Sequence, residues 1–171
     1  MKRQKKHREI DELKSASEIL HYELWQMIKL ANPSTLDLAA KDLNLHNAVV
    51  ESFLIHARAL IHFLKPKGRT RLDNVLARQY FDSPEQWNRY LGRFPKILEK
   101  TRNDANFRLA HISYDRLNVK ENEADWPYKE ILMELWDVLI YKFIANVPKE
   151  RLGQRCFGLY QIAIAGVKPE I

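Results

Sequence analysis

Apolar residues recur at intervals of three and four along most of the chain, and that spacing predicts one helix after another. Ile10, Leu13, Ser17, Leu20, Leu24, Met27 and Ala31 fall on one helical face, so a first helix is predicted over about residues 8–31. Asn32-Pro33-Ser34-Thr35 interrupts it, because proline disfavours helix at the residue before it, and Ser34 or Thr35 offers a cap for the next helix. A second helix is predicted over about residues 36–64, strongest from Leu43 onward. Its stripe of Val50, Leu54, Ala57, Ile61 and Leu64 is widened by Val49, Phe53, Leu60 and Phe63, the width expected of a helix packed between two neighbours.

Residues 65–93 lose the long-range period. Short helical pieces are expected there, one opened by Ser83-Pro84-Glu85-Gln86, with serine at the cap, proline in the first turn and glutamine three residues after the cap. So long a connection is a candidate for carrying function or covering a groove. A third long helix is predicted from Phe94-Pro95 to about residues 113–116, with Leu98, Thr101, Ala105, Leu109 (or Arg108) and Ile112 inward. A polar loop comes after it. A fourth helix is predicted from Trp126-Pro127 to Asn146-Val147 on the stripe Tyr128, Leu132, Leu135, Leu139 and Phe143, and a short last one near residues 159–165. No segment alternates like a strand between turns. The fold class read from this pattern is all-α, an antiparallel four-helix bundle with short accessory helices in a single domain over residues 1–171.

Charge changes the picture at one end. Lys2, Arg3, Lys5, Lys6 and Arg8 precede the first acid, so all but one unit of the net charge of +6 lies in residues 1–8. These residues are read as a flexible basic arm, either a solvated terminus or a tether to phosphates or an acidic membrane surface. A second cluster, Lys65, Lys67, Arg69 and Arg71, sits in the connection after the second helix. The basic start runs into Glu9, Asp11 and Glu12 with no apolar stretch, so no signal peptide is expected. No membrane span is expected either, since the most apolar window holds Glu134, Asp137 and Lys142. The single cysteine, Cys156, excludes an internal disulfide framework and fits a reducing, cytoplasmic setting, and its apolar neighbours place it inside. Histidines and carboxylates lack metal-ligand spacing, and glycine-rich phosphate loops and nucleophile elbows are missing, so no cofactor or metal is expected.

The richest chemistry lies in residues 102–116. Arg102, Asn106, Arg108, His111, Tyr114 and Arg116 crowd polar groups onto a few turns, more than a packing helix requires. His111 titrates near neutral pH and is a candidate general acid or base. The arginines suit a phosphate, and Tyr114 suits stacking on a base or donating a hydrogen bond. The competing reading is a solvated face in which Asp104, Arg108 and Asp115 pair with one another. On an ideal helix Asn106 lies about 140° from His111, so the two share a groove only if a second helix or subunit completes it. The second helix carries its own polar strip, Asn47, Glu51, Arg58 and His62, either a solvent face or a wall of the same site in which Glu51 or Arg58 orients His111. His56 lies in an apolar strip and reads as a hydrogen-bonded core histidine.

Asn106-Phe107-Arg108-Leu109-Ala110-His111 in the third long helix resembles the signature region of the HEPN superfamily, an Arg-Asn pair followed after a short spacer by Ala-His. Asn106, Ala110 and His111 match, whereas Ala105 stands where the arginine is usual. The resemblance implies a helical homodimer that binds RNA between its subunits. It also implies metal-independent RNA cleavage by attack of the 2′-hydroxyl, and toxin–antitoxin or phage-defence roles with a cognate antitoxin or other partner protein. On that basis His111, Asn106 and Arg108 are the expected catalytic set, and Arg102, Tyr114, Arg116, Glu51 and Arg58 the expected substrate contacts. Ala105 leaves a cleaving and a non-cleaving member both open. The alternative function is a non-catalytic helical dimerisation or interaction module.

Overall fold

The structure is a computed structural model that describes residues 8–109 and 126–166, the side chains of residues 107–109 excepted. Among the described residues the fold is all-α, with no strand.

Helix α1 (Ile10–Leu30) opens with a carboxylate box in which Glu12 returns a bond to the Glu9 N–H. The single second helix expected from periodicity is two. Asn32, not Ser34 or Thr35, caps α2 (Pro33–Ala39) through Ser34 N at 3.0 Å. Asp42 then starts α3 (Leu43–Leu64) afresh by accepting from Leu45 N at 2.9 Å. The break falls where the chain has a good capping aspartate, which competes with continued helix for the backbone. A 3₁₀ turn (Ala77–Tyr80) and α4 (Pro84–Leu91) come next, and Ser83 caps α4 as its sequence signals. Helix α5 is Lys96–Leu109. The fourth long segment is α6 (Tyr128–Trp136), continued by a wide π-helical stretch, Asp137–Ile144, in which Ala145 N reaches back five residues to the Ile140 carbonyl. Widening the helix turns Val138, Leu139 and Ile140 inward together with Phe143 and Ile144. Helix α7 (Gln154–Ala165) is longer than the final helix expected from sequence.

One apolar cluster holds these elements together. At its centre Phe63, Tyr80 and Phe143 meet edge to face with ring centroids 4.9 to 5.9 Å apart. Both polar groups carried into this centre are paired: Tyr80 donates to the Leu13 carbonyl and Trp87 Nε1 to the Leu64 carbonyl. Helix α3 is the hub, packing against α1, α5 and α6. Ser17 pins α7 to α1 by accepting from Gly153 N and donating to the Lys14 carbonyl, both at 2.7 Å. No helix among the described residues is long and apolar enough to cross a membrane.

Candidate functional site

The α3 and α5 helices each present a polar pair four residues apart, and four residues is about one turn. On α3 the pair is Arg58 and His62; on α5 it is Arg102 and Asn106. These side chains face across a cleft of about 600 Å³. The connection after α3 closes its end with Lys67, Asn74 and Val75, while Ile55, Ala59 and Phe63 form an apolar side. Of the 65–93 connection, which the sequence offered as carrying function or covering a groove, Lys67, Asn74 and Val75 line this cleft.

Arg102 is the anchor. It is only 7 % exposed, although arginine is almost never buried without a partner. Its Nη1 donates to the Lys65 carbonyl at 2.8 Å, at the residue that closes α3. Its Nε is buried with no hydrogen-bond partner among the described residues. Asn106 Oδ1 is in the same condition. One is a donor, the other an acceptor, and both belong to residues lining the cleft.

The cleft is cationic. Arg58, Lys67 and Arg102 line it, and no carboxylate is among the described residues that do. Nearby acids are engaged elsewhere: Glu99 holds Lys65 at 3.0 Å, and Asp104 holds Lys100 at 2.8 Å. Asn103 Oδ1 accepts from Lys67 Nζ at 3.4 Å and ties the loop to α5. His62 Nε2 accepts from Asn74 Nδ2 at 2.8 Å, which leaves its proton on Nδ1. Burial pushes the His62 pKa down from its ordinary 6.5, and the nearby Arg102 and Arg58 charges push it further the same way. All three causes favour the neutral imidazole in the free protein.

The residues expected from sequence divide clearly. Arg58, Arg102 and Asn106 are brought together here. Glu51 is exposed and is not among the residues that line the cleft. His111, Tyr114 and Arg116 lie outside the described residues, as does the Arg108 side chain. Asp104, which the competing reading paired with Arg108 and Asp115, holds Lys100 instead, and neither residue lines the cleft. His62, Lys67 and Asn74 complete the site. His62 has a signal in the sequence, one helical turn after Arg58; Asn74 has none, because only the loop fold brings it back to α3.

Elsewhere His56 pairs with Glu23 at 2.7 Å across α1 and α3, the structural role read from its apolar strip. Arg8, counted with the basic arm, donates to the Leu72 carbonyl at 2.8 Å. No group of three or more His, Cys, Asp or Glu among the described residues is arranged to hold a metal ion. Comparison of the chain with family models, with curated proteins and with solved structures gave no match.

Proposed function

We propose that this protein binds RNA in the cleft between α3 and α5, as a HEPN-like helical protein. The observation that carries the reading is the pair of orphaned buried atoms on α5. Burying a polar atom without a partner costs about 1–3 kcal/mol, so two such atoms on residues that line one cleft call for an explanation, and a bound ligand supplies one. The Arg102 Nε–H wants an acceptor with negative charge, and Asn106 Oδ1 wants a donor. A ribonucleotide supplies both, a phosphate oxygen for the guanidinium and a 2′-hydroxyl for the amide. Arg58 and Lys67 add charge on the phosphate path, and the apolar side of the cleft suits a base or sugar face.

The HEPN resemblance adds the remainder of the reading: an antiparallel four-helix bundle acting as a homodimer in the cytoplasm. His111 and Arg108 join Asn106 at the scissile phosphate, Tyr114 and Arg116 contact substrate, and a toxin–antitoxin or defence system supplies the partner protein.

The test is binding of a labelled single-stranded RNA at several salt concentrations. Three phosphate contacts on a single strand give a log–log slope of about −2, or roughly a twentyfold loss of affinity for a fourfold rise in salt. Arg58→Ala should weaken binding and make that slope shallower. Absence of salt-sensitive binding at low salt overturns the RNA reading and favours the interaction module. Cleavage is assayed in parallel on the wild type and His111→Ala; equal rates remove His111 from the chemistry.

A further inference from the structure

His62 stands among three cations yet has no carboxylate beside it among the cleft's described residues. Arg58 on its own helix, Arg102 from α5, and Lys67 and Asn74 from the loop line the cleft with it, and Asn74 bonds the ring. Burial opposes a charge on the ring first, and the Arg102 and Arg58 guanidinium groups add to that opposition. An anion seated against those guanidinium groups offsets the part of that opposition that comes from charge and adds an attraction of its own. The two events are then linked, and linkage is reciprocal: what makes protonation easier on binding makes binding tighter on protonation.

Asn74 fits this role. An amide donates through Nδ2 and accepts through Oδ1, so a half-turn of its side chain keeps the bond in both states. With a neutral ring, Asn74 Nδ2 donates to His62 Nε2 at 2.8 Å. With a charged ring, His62 Nε2–H donates to Asn74 Oδ1, and Nδ1–H remains available to a phosphate oxygen. A carboxylate at position 74 would fix the ring in its charged form; the amide leaves it free to change.

We propose that His62 is a conditional fourth cation of the cleft, which takes up a proton when a phosphodiester is seated between Arg58, Lys67 and Arg102. The inference rests on the reading that the cleft holds RNA. It makes affinity rise as pH falls through the interval between the ring's pKa in the free and the bound protein, by up to about tenfold per pH unit for one linked proton. Above both values the cleft binds with its three permanent charges alone.

The experiment is calorimetric titration with a short oligouridylate lacking a terminal phosphate, so that no ligand group titrates between about pH 5 and 8. Runs in buffers of different ionisation enthalpy, at fixed ionic strength, count the protons absorbed. The wild type should take up a substantial fraction of one proton near pH 6.5, and His62→Gln should lose most of that uptake. Asn74→Asp, which keeps the histidine but charges it beforehand, should lose it too. The His62 ring nitrogens, followed by NMR in the wild type, should show a raised pKa in the complex, which checks the proton's location without any substitution. Binding with no proton uptake, or uptake that persists in His62→Gln, overturns this inference and leaves RNA binding standing. No binding of the oligonucleotide at any pH overturns both.

Discussion

Arg102 Nη1 is fastened to the Lys65 carbonyl at 2.8 Å, and the Nε of the same guanidinium is buried without a partner among the described residues. One side chain thus locks α5 to the end of α3 and offers a charge to whatever enters between them. Loss of Arg102 should therefore show in two separate measurements. Arg102→Ala removes the bond to a carbonyl at the α3 terminus and the packing of the arginine stem, and should lower stability by about 1–3 kcal/mol in denaturant titration. Arg102→Lys keeps the charge on a flexible stem without the planar fork, so it should recover more stability than RNA affinity. Equal recovery of both would mean that the Nε donor plays no part in binding.

The joint between α1 and α7 is set by space. Gly153 has φ −72, an ordinary value, so its glycine is not required by backbone conformation. A Cβ there would instead collide with the Glu18 carboxylate and stand 2.8 Å from the Lys14 carbonyl oxygen. The Gly153 N–H is held by fully buried Ser17. Gly153→Ala should destabilise the fold by about 1–3 kcal/mol through overpacking, and Ser17→Ala by a similar amount through an orphaned N–H. Because both break one joint, the double variant should cost less than the sum, as read in thermal or urea unfolding.

Cys156 tests the same joint chemically. The side chain is fully buried, and its Sγ donates to the Ser17 carbonyl at 2.9 Å. Burial pushes the thiol pKa up to about 12, so almost no thiolate exists at neutral pH. A thiol-specific reagent should react with the native protein far more slowly than with the denatured chain, at a rate set by opening of α7. Ser17→Ala should speed the native reaction; a native rate matching the denatured one would contradict the buried placement.

Periodicity reaches some of these features and not others. The helical stripes of α1 and α3 are visible because one face of each packs inward, and Leu13, Leu24, Phe53 and Leu54 are buried as the spacing requires. The Ser83 cap is equally visible, since its cues are adjacent in sequence. The break at Asp42 is hidden because apolar spacing runs through it, whereas a single capping bond decides the geometry. At the cleft, pairs four apart on one helix are legible, but the meeting of Arg58 with Arg102 is legible only as one of two alternatives. That meeting depends on how α3 and α5 pack, and Asn74 is delivered by a loop with no period to read. Arg102 is legible as polar chemistry, yet its burial is not, because the carbonyl that accepts from it lies 37 residues away.

The cleft histidine also sets an acid limit on stability when no ligand is bound. In the free protein the His62 pKa is lowered from 6.5 by burial, then by Arg102 and Arg58. In the unfolded chain those causes vanish, so the unfolded state binds the proton more readily. A group whose folded pKa is depressed contributes stability that is fully present above the unfolded value and is lost as pH falls towards the folded one. Stability should therefore decline as pH drops below about 6.5, with a slope for this one group no steeper than about 1.4 kcal/mol per pH unit. Because the ring stands in an open cleft, solvent screening keeps the loss well below that ceiling. The measurement is the urea midpoint of the wild type and of His62→Gln at about pH 7.5 and about pH 5.5, at constant ionic strength. The wild type should lose more than the variant between the two. Parallel losses would place the acid sensitivity elsewhere and show that burial and the two arginines do not hold His62 neutral. Added oligouridylate should shrink the wild-type loss, since a bound phosphodiester removes the opposition that the arginines set against the charged ring.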